Sequence, residues 1–154
     1  MKHIILFRHA KAEDSTGKIA DYNRSLTKRG REDAERMSQN LKKRSLKPCL
    51  ILSSPANRAL ETALLFCNEF DIPKDNILIE EFLYYHCSMK DFLEYIKDVE
   101  NTIQTLVIFG HNPAFSNIAS ELINGFDENI PKCGTLGIGF NVNTWSEIVQ
   151  KKGK

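Results

Sequence analysis

A single three-layer α/β domain is predicted for residues 1–154, with a mainly parallel central sheet, helices on both faces and antiparallel edge structure at the C-terminal end. Three observations predict it. Short apolar runs alternate with amphipathic stretches at helical spacing. Several of those runs end in polar or charged residues, as strands of a parallel sheet do where helices cover its faces. Beyond about residue 135 the pattern changes to strict alternation, the mark of an antiparallel strand. A chain of 154 residues builds one substantial core and is too short for two ordinary ones.

Ile4-Ile5-Leu6-Phe7 reads as a buried strand. The polar stretch from Lys11 to Ser25 is long for a connection in a compact domain, and such loops often carry function. A helix then runs to about Arg44, with Thr27 as N-cap and Ala34, Met37 and Leu41 on its buried face, although Gly30 costs propensity. Cys49-Leu50-Ile51-Leu52 is the second strand, after which Ser54 caps a helix with Pro55 at its first position. Ala59, Ala63, Phe66, Cys67 and Phe70 form that helix's apolar stripe, and Asp71-Ile72-Pro73 ends it. Ile77-Leu78-Ile79 is a short third strand. Ser88-Met89-Lys90-Asp91 opens a helix packed through Phe92, Leu93, Ile96 and Val99. Leu106-Val107-Ile108-Phe109 is the fourth strand, and Asn112-Pro113 caps a helix carrying Phe115, Ile118, Ala119, Leu122 and Ile123. Leu136, Ile138, Phe140 and Val142 alternate with small or polar residues, and Trp145 to Val149 is expected to return across a turn at Asn143-Thr144.

Hydrophobic residues at 42% and charged residues at 27% describe a soluble globular chain, and a net charge of +1 argues against general nucleic-acid or anionic-membrane binding. Lys42-Lys43-Arg44 reads as a solvated helix end and Lys151-Lys152-Gly153-Lys154 as a frayed terminus. No segment has the apolar length of a membrane span, and no basic stretch leads into a signal-peptide core, so a cytoplasmic location is expected. Cys49, Cys67, Cys87 and Cys133 lie far apart with no Cys-x-x-Cys spacing, which predicts reduced thiols rather than a zinc site, Cys49 and Cys67 being small buried hydrophobes.

Parallel strands share one carboxyl edge, so Arg8 and His9, then Arg58, then His111 are expected neighbours there. Arginine forks onto phosphate oxygens, histidine is a nucleophile at neutral pH, and helix amino ends add partial positive charge. Each residue alone has an ordinary structural explanation. Gathered at one edge, they make a pocket for a doubly charged phosphoryl group.

Leu6-Phe7-Arg8-His9-Ala10-Lys11-Ala12, Ser53-Ser54-Pro55-x-x-Arg58-Ala59-x-x-Thr62 and Gly110-His111-Asn112-Pro113 together resemble the histidine phosphatase superfamily, with its phosphoglycerate mutase-like fold. The match is closest to its SixA-type phosphohistidine phosphatase branch. Asp21-Tyr22-Asn23-Arg24-Ser25-Leu26-Thr27-x-x-Gly30 and Leu83-Tyr84 also fit that branch. Ala10 stands where the mutase-like branches carry glycine, which disfavours a sugar-phosphate mutase. The resemblance implies that His9 attacks phosphorus and becomes a phosphohistidine, one ring nitrogen being held as a donor, with a backbone carbonyl as the expected acceptor. It implies that Arg8 and Arg58 bind the equatorial oxygens, that His111 donates to one, and that no metal or other cofactor is needed. For the proton donor, Glu81 is preferred over Glu80, with His86 as a further candidate. Protonated phosphohistidine leaves as neutral imidazole and needs little acid assistance.

No large insertion separates the second helix from the fourth strand, which suggests a shallow, open site admitting a phosphorylated side chain on a partner protein; deep burial of His9 and His111 would count against it. The alternatives are a small-molecule phosphate ester as substrate, a phosphoprotein-binding module without turnover, and nucleotidyl transfer. The last lacks a glycine-rich nucleotide loop, and a binding module has no need of a nucleophile.

Overall fold

The computed structural model describes residues 1–15, 17–48 and 50–154. Five strands, β1 (Lys2–Arg8), β2 (Leu50–Ser53), β3 (Ile77–Ile79), β4 (Thr105–Gly110) and β5 (Thr135–Phe140), form one sheet in the order β3-β2-β4-β1-β5. Neighbours from β3 to β1 run parallel, and β5 is antiparallel to β1. The helices are α1 (Lys28–Lys43), α2 (Asn57–Glu69), α3 (Phe82–Tyr85), α4 (Met89–Lys97) and α5 (Ala114–Leu122).

Strand alternation sends the two sets of apolar side chains to opposite faces. Phe7, Ile51, Val107 and Phe109 pack with Ala34 of α1 and Ala63, Phe66 and Cys67 of α2. Ile4, Leu6, Leu52, Leu106 and Ile108 pack with Phe92 and Ile96 of α4 and Phe115, Ile118 and Leu122 of α5. This is the predicted three-layer α/β arrangement, and β4, buried throughout, is its centre.

The two helix starts at Thr27 and Ser88 form as predicted. Thr27 Oγ1 accepts the Gly30 N–H at 2.9 Å, and Ser88 Oγ accepts the Asp91 N–H at 3.1 Å. Gly30 also has a packing reason: a Cβ there would stand 2.1 Å from the Lys11 carbonyl oxygen. Val99 falls just beyond the end of α4 but still packs on that side of the sheet.

Elsewhere tertiary contacts overrode local patterns. Ser54 does not cap α2; Ala56 stands at the N-cap, and Pro55 lies before the helix rather than in its first position. By contrast, Asn112-Pro113 does cap α5: Pro113 stands at the N-cap, and Asn112 Oδ1 accepts the Ser116 N–H at 3.2 Å. The expected return strand from Trp145 to Val149 is instead a 3-10 turn over Trp145–Glu147. Its cause is the buried Trp145 ring, which donates through Nε1 to the Ile103 carbonyl at 3.0 Å and covers the Lys2 ammonium at 5.3 Å. Lys2 is wholly buried and donates to the carbonyls of Asn101 (2.6 Å) and Ile103 (2.7 Å). The Lys151–Lys154 segment is docked, not frayed: Gly153 N–H donates to Leu122, and Lys154 exchanges backbone hydrogen bonds with Gly139. Cys67, Cys87 and Cys133 are free thiols, while the reading of Cys49 lies outside the described residues.

Candidate active site

The register of the central pair builds the site. Arg8 is level with Gly110, and the His9 N–H donates to the Gly110 carbonyl at 3.1 Å, so the residues just beyond β1 and β4 lie side by side. The His9 and His111 ring centroids are 5.1 Å apart. Strand β2 is tied to the same edge by the Ser54 N–H donating to the Phe109 carbonyl at 2.9 Å. Helix α2 follows at once, and Arg58 is its second residue, closer to the sheet edge than a full turn in. The Ala10 N–H donates to Thr62 Oγ1 at 3.1 Å, and Thr62 Oγ1 donates to the Arg58 carbonyl at 2.7 Å, which seats α2 against the end of β1.

His9 is anchored through Nδ1, 2.7 Å from its neighbour's carbonyl, Ala10 O. A carbonyl only accepts, so Nδ1 carries the proton and Nε2 keeps its lone pair. Burial lowers the His9 pKa; the Ala10 hydrogen bond raises it, and Arg58, Arg8 and Arg24 lower it further, to about 4. His111 is lowered to about 3, by burial first and then by Arg58 and His9. Both imidazoles are therefore neutral at physiological pH.

The arginines are held by their tips. Arg8 Nη1 donates to the Ile130 carbonyl at 2.8 Å. Arg58 donates through Nη1 to the Asp21 carbonyl at 2.8 Å and through Nη2 to Asp21 Oδ2 at 3.0 Å. Asp21 also accepts from the Tyr84 hydroxyl at 2.9 Å and pairs with Arg24 at 2.9 Å. Burial raises the Asp21 pKa, but the Tyr84 hydroxyl and Arg58 outweigh it and hold the carboxyl below its usual range. Among the described residues, the buried side-chain nitrogens left without a hydrogen-bond partner are Arg8 Nε, Arg58 Nε and His111 Nδ1. Such orphans are rare in a folded interior, and here they all belong to one site.

Of the proton-donor candidates, Glu80 is engaged elsewhere, accepting from the Tyr95 hydroxyl of α4 at 2.8 Å. Glu81 is exposed at the head of α3, near Tyr22, whose pKa is raised first by desolvation and then by the Glu81 charge. His86 is exposed and, with Tyr84, Tyr85, Asn112 and Asn117, lines a groove of about 360 Å³ beside His111. The expectation of a shallow site needs correction: His9 is only 7% exposed and His111 9%. The Tyr84 ring meets His111 edge-on at 5.7 Å, so the reactive edge is recessed even without a large insertion above it.

Ser54 and Asp21 are site residues beyond the expected set of Arg8, His9, Arg58 and His111. The unusually long polar loop was the available signal for Asp21. Ser54 stands in the Ser53-Ser54-Pro55-x-x-Arg58 motif, but its partner lies 57 residues away and is set by the fold: its Oγ is 2.7 Å from His111 Nε2.

Residues 4–84 match the histidine phosphatase superfamily (branch 1), and the chain belongs to that superfamily. Within it the chain sorts with the SixA-type branch. It superposes on a structure from Agrobacterium tumefaciens described as a putative phosphohistidine phosphatase SixA, with a TM-score of 0.80 and 25% identity over 90% of this chain and 92% of the other. A protein histidine phosphatase SixA solved with tungstate shares the fold at a TM-score of 0.80 and 19% identity, over 90% of this chain and 88% of that one. An uncharacterized chloroplastic protein of Arabidopsis thaliana is 28% identical over 159 residues, covering 99% of this chain and 72% of the plant protein. Family and likeness together support phosphatase activity. No helix among the described residues is long and apolar enough to cross a membrane.

Proposed function

We propose that the protein is a metal-independent phosphatase that removes phosphate from phosphohistidine on a partner protein through a phosphohistidine intermediate at His9, in the cytosol. The observation that carries this reading is the free Nε2 of His9, its ring fixed by the Ala10 carbonyl, beside the orphaned nitrogens of Arg8, Arg58 and His111. A tetrahedral dianion accepts hydrogen bonds on several sides, which is the kind of partner these donors lack. Phosphoryl transfer asks a protein mainly for alignment and charge stabilisation, and the two guanidinium groups supply the positive charge.

His9 Nε2 attacks phosphorus in line as the bond to the substrate's imidazole nitrogen breaks. A substrate protonated on its ring leaves as neutral histidine. Water then attacks the phosphoenzyme, giving inorganic phosphate and restoring His9. Glu81, exposed near Tyr22, is the proton donor for less reactive leaving groups in this proposal, and a phosphohistidine substrate makes little demand on it.

One observation favours a second reading, a small phosphate ester as substrate: the burial of both histidines, which suits a compact ligand. The test compares phosphate release from a phosphohistidine-bearing protein and from an aryl phosphate, with chelator present, for wild type and His9→Ala. Chelator-resistant, His9-dependent release that is faster from the protein is the expected result. Release from the ester alone selects the second reading, and release without His9 rejects both.

A further inference from the structure

We propose that Ser54 is a positioning residue that fixes His111 in the form presenting an Nδ1–H, rather than a lone pair, to the phosphoryl group. The inference rests on reading the site as a phosphoryl pocket and extends it to a residue outside the arginine and histidine set.

The argument is a count of protons. Ser54 is fully buried, so its hydroxyl hydrogen has no recourse to bulk water. Its Oγ has two neighbours, the Ala56 N–H, which donates to it at 3.3 Å, and His111 Nε2 at 2.7 Å. A backbone N–H cannot accept. The Ser54 proton therefore goes to His111 Nε2, the one neighbour with a lone pair to offer. His111 is neutral, so it carries a single ring proton, and with Nε2 accepting, that proton sits on Nδ1. Nδ1 is the atom buried without a partner. As an N–H it waits for an acceptor, and an anion's oxygen is one. The opposite tautomer fails twice. Ser54 Oγ would receive two N–H donors while its own hydrogen went unpaired, and a bare nitrogen lone pair would face the oxygens of the anion.

Ser53 supplies the contrast. It is equally buried, one residue earlier and the last of β2, but its hydroxyl donates to the Ser54 carbonyl at 2.9 Å and is spent within the turn. Only the second serine reaches the ring.

The experiment is nitrogen-detected NMR of histidine-labelled protein, paired with kinetics of Ser54→Ala and Ser54→Thr. In the wild type His111 is expected to show a protonated Nδ1 and a bare Nε2. Ser54→Ala is expected to move the population toward Nε2–H and to lower kcat by ~10- to 100-fold, with KM changed less than about threefold, as loss of an aligned donor to the transition state does. Ser54→Thr keeps the hydroxyl and is expected to restore both the tautomer and most of kcat. A protonated Nε2 on wild-type His111 overturns the proposal, as does an unchanged kcat in Ser54→Ala. If the alanine variant fails to fold, the wild-type spectrum still decides. His9→Ala, assayed alongside, tests the phosphatase reading separately, since its failure would leave the tautomer result standing.

Discussion

His9 and His111 stand at the ends of adjacent strands with their ring centroids 5.1 Å apart, and the protein grips them by opposite nitrogens. His9 is held at Nδ1 by a carbonyl, His111 at Nε2 by a hydroxyl. The first partner can only take a proton; the second has one to give. Two chemically identical rings in one electrostatic environment thus turn different faces inward, a lone pair from one and an N–H from the other. What a histidine does is decided by the partner behind it, not by its pKa alone.

The sharpest way to break this comparison is to give both positions the same substitute. His9→Asn is expected to abolish phosphoenzyme formation and lower turnover by at least ~10³-fold, because no amide replaces a nucleophile. His111→Asn keeps an N–H donor about where Nδ1 stood, so its loss should be smaller, on the order of 10-fold, against ~10²-fold for His111→Ala. Acid-labile, base-stable phosphate on the protein and steady-state kcat check the series. Equal losses from the two asparagine variants would remove the distinction between the rings.

Next in size is the loop that holds Arg58. Asp21→Asn retains the backbone acceptor for Nη1 but weakens the grip on Nη2, so KM for the phosphoryl substrate should rise ~5- to 10-fold with kcat less affected. Titration of inorganic phosphate as a competitive inhibitor measures this directly. Unchanged inhibition would show that Arg58 needs no help from Asp21.

The smallest effects concern pH. With His9 pushed down to about 4, kcat/KM should stay level through the ordinary histidine range near pH 6.5 and decline only toward pH 4. Stability carries the same signature. The unfolded chain takes up protons on both rings at about pH 6.5, whereas the folded chain resists until about 4 for His9 and about 3 for His111. That contribution to stability is complete above about pH 6.5 and is lost progressively as pH falls below it. Thermal unfolding from pH 7 to 4 should show a drop in Tm that is shallower in His111→Asn; parallel curves would contradict it.

The sheet and the gathering of Arg8, His9, Arg58 and His111 were readable in the sequence because both follow from rules of repetition. Apolar runs of four make strands, and strands running the same way bring their ends together. The unreadable parts depend on where a chain lands after folding. Ser54 looks like a helix start until β4 delivers His111 to its hydroxyl. Asp21 looks like a loop carboxylate until the loop turns back on α2. Trp145 continues an alternating pattern, yet burying its ring over Lys2 rewards a tight turn more than another strand. Site depth failed for a similar reason: counting insertions says nothing of how Tyr84 packs against His111.

Lys2 has a practical consequence. Its amine is wholly enclosed, held by two carbonyls under the Trp145 ring at the start of the strand that ends in the site. Exposed lysines such as Lys11 and Lys90 meet an acylating reagent freely, whereas Lys2 meets it only when that corner of the protein opens. Mass-spectrometric labelling of Lys2 therefore serves as a built-in clock for opening events, read in the intact protein without a probe dye or an engineered tag.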